Sequence, residues 1–310
     1  MKAVKRTADG VVALEVPEPE GDGVIVHVRA AGICGSDINA LAYGPSPVTP
    51  GHEFGGVLAD GTHVAVSPSR SCGLCAPCGR GDTNLCVRTM ELLHGFGIDG
   101  GMAERVLVDP ASVLRLPDGL PVEALALVEP ISIGVHGLHR AGVEAGMRVL
   151  VVGSGSIGLG ALLAARWMGV DIDVAARHPH QRDAADALGG RLSVRDEYDL
   201  VVDTVGSQAA LDESLQRARA GGTVLALGGW ATPVRVGVVP MLKEINLVSA
   251  ILCAHHHGAW EFAHAAEVIS RFPDACSVMV THRFPLDRAG EAFAVAGDKS
   301  TGAIKVQFHP

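Results

Sequence analysis

Residues 148–158 read Arg148-Val149-Leu150-Val151-Val152-Gly153-Ser154-Gly155-Ser156-Ile157-Gly158. A short apolar run ends in a G-x-G-x-x-G pattern, and Gly158 to Met168 continues with helical periodicity. The first glycine permits the tight turn, the second lets backbone approach a pyrophosphate, and the third allows close helix–strand packing. The helix N-terminus then turns free N–H groups and a positive dipole end toward the phosphates. This context marks Gly153, Ser154, Gly155, Ser156, Ile157 and Gly158 as an expected dinucleotide loop.

The pattern extends outward from there. Apolar runs recur at 171–176, 200–203, 223–227 and 247–251, alternating with helical stretches. Such strands imply a parallel sheet covered on both faces, a doubly wound α/β fold. The end of the second strand selects the cofactor: an acid holds the ribose 2′-hydroxyl, whereas an arginine accepts a 2′-phosphate. Arg177 stands there, with Arg182 near, while Asp171 and Asp173 fall earlier in the strand. The reading favours NADP over NAD. The first 120 or so residues are β-rich, with runs such as Val24-Ile25-Val26 and Val64-Ala65-Val66 between turn residues. After His257 a helix (260–271) and a final strand (303–308) are expected.

Composition limits the class. The chain has 310 residues, 48% hydrophobic and 19% charged, which suits two globular domains and leaves little room for disorder. A net charge of -9 argues against a nucleic-acid partner. No signal peptide or membrane span is expected, so a cytoplasmic location is. In that reducing setting the seven cysteines read as thiols or metal ligands. Cys72, Cys75, Cys78 and Cys86 lie within fifteen residues. Four thiolates at that spacing close a tetrahedral structural zinc site. The seven-residue last gap, followed by Val87, departs from the ferredoxin iron–sulfur pattern.

Three other segments carry ligand types. Gly32-Ile33-Cys34-Gly35-Ser36-Asp37 offers a thiol, Gly51-His52-Glu53 an imidazole and a carboxylate, and Val128-Glu129-Pro130 another carboxylate. Three protein ligands with an open position make a catalytic zinc site.

With these motifs together, the chain resembles the zinc-containing medium-chain dehydrogenases, close to their sorbitol and threonine dehydrogenase branch. The match also includes Gly134 and His136, and Gly302-Ala303-Ile304-Lys305-Val306 near the end. The resemblance implies a GroES-like catalytic domain (1–128 and 257–310, zinc lobe 68–90) and an inserted Rossmann domain (129–256). It implies that Cys34 and His52 bind catalytic zinc, with Glu129 or, alternatively, Glu53 completing the set. Asp37 would fix the tautomer of His52. Ser36 would pass on the alcohol proton. Val205, Gly228 and Lys305 complete the expected cofactor set.

The implied activity is hydride transfer between a zinc-polarised secondary alcohol or polyol and NADP or NAD. Two zinc ions per chain, a small-molecule alcohol or carbonyl substrate, no membrane partner and a homodimer or homotetramer go with it. The alternatives are a reductase working in the opposite direction and a non-catalytic NADP-binding protein. One departure stands out: many relatives have a histidine where this chain has Asn39, which cannot titrate. His255, His256 and His257 read as a solvated loop, and His94 and Phe96 as loosely expected pocket residues.

Overall fold

The computed structural model describes residues 1–310, which divide into two compact units. Met1–Glu129 and His257–Pro310 form the first, and Pro130–His256 the second. The division falls within the helix Ala124–Arg140, which carries Pro130 in its interior. Glu129, expected with the inserted domain, therefore belongs to the first unit.

The first unit is built on a seven-stranded sheet. Val280–Phe284 pairs with Lys305–Phe308, then come Val24–Ile33, Glu53–Val57, His63–Val66 and Val113–Arg115, with Arg105–Val108 also on Val24–Ile33. Alternation explains the central strand: Val26 and Val28 point into the core, while Arg29 is exposed. Their partners include Phe54, Val64, Val66, Phe293 and Phe308. The chain ends meet here, because Val306 pairs with Ile33 and Phe308 with Ala31. The cysteine-rich lobe contains only short helical turns, at Ala76–Gly79, Thr83–Leu85 and Thr89–Leu92.

The second unit holds five parallel strands in the order Asn246–Ser249, Ala218–Ala226, Tyr198–Asp203, Val149–Val152, Ile172–Ala175. All four residues of Val149–Val152 are buried, as a strand covered on both faces requires. Ser156–Trp167 follows it and buries the run from Gly158 to Ala165. This helix passes close to Ala124–Arg140: a Cβ on Gly134 would lie 2.7 Å from Ala161 Cα. Glycine is the residue that allows this approach.

The sheet also encloses a carboxylate at mid-strand. Asp173 is 1% exposed, in the middle of Ile172–Ala175. Its Oδ2 accepts from Tyr198 Oη at 2.9 Å, and its Oδ1 from Arg191 Nε at 2.8 Å. The Tyr198 hydroxyl in turn accepts from Arg195 N at 2.6 Å. Burial, followed by its bond to Asp173, raises the phenol above its ordinary pKa. Tyr198→Phe leaves both Asp173 and Arg195 N short of a partner. The expected loss is about 1–3 kcal/mol of stability, read as a lower urea midpoint at unchanged slope.

Candidate active site

Strand register assembles the first cluster. Gly32 pairs with Glu53, so the Gly-His-Glu segment lies beside the end of Val24–Ile33. Cys34 follows that strand and caps the short helix Gly35–Asn39. Asp37, in the first turn, accepts from Cys34 N at 2.9 Å and fixes the turn. The outcome is that ligand atoms of Cys34, His52 and Glu53 all lie within 4.8 Å of one another. His52 and Glu53 are buried, at 6% and 0% exposure. Ser36 Oγ is 3.5 Å from His52 Nε2, and Phe96 packs on the His52 ring at 5.5 Å between centroids. Asp37 Oδ1 is 3.6 Å from His52 Nδ1, which has no hydrogen-bond partner. Asn39 is exposed.

Lys305, expected among the cofactor residues, stands against Glu53. It is 2% exposed, with Nζ 2.7 and 2.5 Å from the two Glu53 oxygens and 3.1 Å from the Ile33 carbonyl. The reason is topological: the closing strand pairs with Val24–Ile33 and carries Lys305 to the strand end where Cys34 lies. Burial works against the ammonium, but Glu53 and then Cys34 more than offset it, so its pKa stands above the ordinary value. Burial likewise works against a charged His52, and Asp37 and Cys34 hold it well above the usual range. Glu129 is pushed up to about 7 by burial, with Glu53 and Asp37 adding repulsion and His52 and Lys305 opposing. Three carboxyls and a thiol thus face one lysine and one histidine. Soft, imidazole and hard donors with an excess of negative charge fit a divalent cation such as zinc.

The second cluster is Cys72, Cys75, Cys78 and Cys86, whose sulfurs also lie within 4.8 Å of one another. None forms a disulfide. Backbone N–H groups of Cys72 and Arg88 point at Cys86 Sγ at 3.3 and 3.4 Å. N–H groups of Cys78 and Val87 bring the Cys75 thiol down to about 6. Burial and the adjoining thiols push Cys78 up to about 11. Four thiols gathered without oxidation are a donor set for a closed tetrahedral zinc site.

In the second unit, Gly153 turns at φ +91°, where a Cβ would lie 2.5 Å from Val205 Cγ2. Gly155 caps the following helix and has nothing within 4 Å of an added Cβ. Ser156 Oγ is buried and has no hydrogen-bond partner. An open cradle with an uncommitted hydroxyl at a helix N-terminus fits a phosphate. Ser154 points elsewhere: it is 0% exposed, and its hydroxyl donates to the Gln181 carbonyl at 2.9 Å. Its side chain serves the loop, leaving only its backbone for a cofactor. Gly228 packs closely on Gly206, where a Cβ would lie 2.4 Å from Gly206 N. Val205 is exposed, as are Arg177, just past Ile172–Ala175, and Arg182. Asp173 is engaged internally and Asp171 pairs with Arg191, so neither stands at the strand tip. His94 is buried, its Nδ1 donating to the Asp99 carbonyl at 2.6 Å. His256 stacks on His139 at 4.2 Å.

The contacts that Lys305, Asp173 and Ser154 make were not assignable from motifs. The only signal was a charged residue at the start of the closing strand, beside apolar Val306.

A metal-type donor cluster and a dinucleotide loop in one chain define a metal- and nicotinamide-dependent oxidoreductase. Residues 20–118 match the alcohol dehydrogenase GroES-like domain and 172–302 the zinc-binding dehydrogenase domain. The chain is 31% identical to D-altritol 5-dehydrogenase of Agrobacterium fabrum, over 92% of this chain and 91% of that one. It is 30% identical to L-idonate 5-dehydrogenase of Vitis vinifera, over 92% and 87%. It also superposes on a zinc-binding dehydrogenase of Sinorhizobium meliloti solved with NADP, at TM-score 0.87 and 27% identity, covering 100% and 99%. The chain belongs to the zinc-containing medium-chain dehydrogenase family, in its sorbitol dehydrogenase-like branch. It is a zinc-dependent oxidoreductase of alcohols that uses a nicotinamide cofactor.

Gly32 tests the cluster's packing. A Cβ there would lie 2.1 Å from Glu53 Oε2. Gly32→Ala must displace that carboxylate from Lys305, and a loss of about 1–3 kcal/mol is expected, read as a lower melting temperature.

Proposed function

We propose that the protein oxidises a secondary hydroxyl of a polyol or open-chain sugar acid with NADP, and runs the reverse reduction at the same site. The single observation that supports this most is the cluster of half-buried Cys34 with buried His52 and Glu53, beside Ser36. In this reading Cys34, His52 and Glu53 hold a catalytic zinc, with Glu129 as the alternative carboxylate. The cysteine lobe holds a second, structural zinc. When bound, the catalytic zinc supplies Lewis acidity toward the substrate oxygen.

The chain's own groups do the rest. Asp37 orients the turn that carries Cys34 and faces the ring nitrogen of His52 turned away from Ser36. Ser36 takes the alcohol proton and passes it to solvent. Asn39 cannot take part, being exposed and without a titrating group. Phe96, packed on His52, shields the cluster from competing water. Lys305 holds the Glu53 carboxylate in place. Arg177, exposed at the strand tip, reads the 2′-phosphate of NADP. The polyol preference draws on the relatives named for altritol and idonate, a polyol and a sugar acid.

Two measurements test this. Elemental analysis is expected to find two zinc ions per chain. Cys34→Ser should lower that to one and reduce turnover of altritol, idonate and sorbitol by at least about 10³-fold, whereas one zinc in the wild-type protein would refute the two-site reading. Arg177→Ala should raise the KM for NADP about 10- to 100-fold, leaving that for NAD within about twofold. Equal changes for both cofactors would remove Arg177 as the selecting residue.

A further inference from the structure

The parallel sheet of the second unit reverses its winding at one place. From Val149–Val152 the chain proceeds to Ile172–Ala175 on one side, then to Tyr198–Asp203 on the other. Ligands of such sheets bind outside the carboxyl ends of the strands flanking that reversal. Gly153 closes one of these two strands, and Thr204 closes the other.

The two ends are tied together. Thr204 Oγ1 is 2.9 Å from the Val152 carbonyl and 3.1 Å from the Gly153 carbonyl, so one hydroxyl proton serves both. Thr204 N also donates to the Val152 carbonyl, at 3.1 Å. Asp203 Oδ1 accepts from Val205 N at 2.9 Å and Gly206 N at 3.1 Å, which holds the turn that presents Thr204. The fit leaves no slack: a Cβ on Gly153 would lie 2.9 Å from Thr204 Oγ1, and one on Gly158 only 2.0 Å from the Gly153 carbonyl.

Peptide planarity gives this contact a consequence. In a trans peptide the C=O and the next N–H point in opposite directions. Pinning the Gly153 carbonyl toward Thr204 therefore aims Ser154 N–H away from it. The geometry points to Thr204 as a positioning residue for the cofactor, its hydroxyl setting the peptide orientation that the pyrophosphate meets. This rests on the reading of residues 153–158 as the pyrophosphate cradle.

The test uses the zinc-loaded enzyme and titrates NADPH and NADH by fluorescence. Thr204→Val removes the hydroxyl at nearly constant volume. It is expected to weaken both cofactors by a similar factor, about tenfold, because the pyrophosphate is common to both. Turnover at saturating cofactor should stay within about twofold, a split between KM and kcat that loss of folded protein would not produce. Thr204→Ser should restore binding. Thr204→Ala gives the same reading if the valine variant does not accumulate. Wild-type dissociation constants in the valine or alanine variant overturn the assignment, as does a serine variant as weak as the valine one. Gly155→Val separates this from the cradle reading, since a side chain there meets open space. If Gly155→Val leaves binding intact, the cradle is misplaced. If it impairs binding while Thr204→Val does not, only the Thr204 assignment fails.

Discussion

Glu53 and Lys305 stand 252 positions apart and meet inside the first unit, both nearly sealed from water. Each would be costly to bury alone. Removing one partner of such a pair leaves an uncompensated charge, a penalty of about 3–5 kcal/mol. Much of the unit depends on keeping them together. The pairing of Lys305–Phe308 with Val24–Ile33 delivers the lysine, and the pairing of Gly32 with Glu53 delivers the carboxylate. Those two registers also place Cys34 and His52 next to each other. The ion pair and the metal donors are thus products of the same strand ends in one sheet.

The two donor clusters face different physical demands. At Cys34, His52 and Glu53 the donors are mixed, partly held by other residues, and set among groups of both signs. Such a site leaves coordination open to exchange. In the lobe all four donors are thiols, drawn from fifteen residues of chain and supported by backbone N–H groups. That arrangement closes on itself. The lobe has little other means of holding a shape, since its helical turns are three or four residues long.

The parts of the fold legible in the sequence were those with short-range signatures. The dinucleotide loop, the cysteine spacing and the five parallel strands each declare themselves within a few residues. What stayed hidden depended on partners far away. Lys305 carried no local sign that it would pair with Glu53 rather than a phosphate. Ser154 stood inside the glycine motif, yet its hydroxyl turns toward Gln181, 27 positions on. Asp173, too early in its strand to select the cofactor, gave no sign that Tyr198 and Arg191 enclose it. The cluster's carboxylate was ambiguous for the same reason. Glu53 and Glu129 lie on different elements, and only strand register brings Glu53 within the compact donor set.

The first unit is made from both ends of the chain, and that shapes how it comes into being. The second unit is one continuous stretch, Pro130–His256, and all its strands precede Val280–Phe284 and Lys305–Phe308 in the chain. The first unit's sheet waits for Lys305–Phe308, which lies between Val280–Phe284 and Val24–Ile33. Until then Glu53 has no counter-charge, and the edge of Val24–Ile33 is bare. An unpaired edge is a template for wrong association. The growing chain therefore carries its incomplete sheet until Lys305–Phe308 has been made, and that strand is the one that seals it.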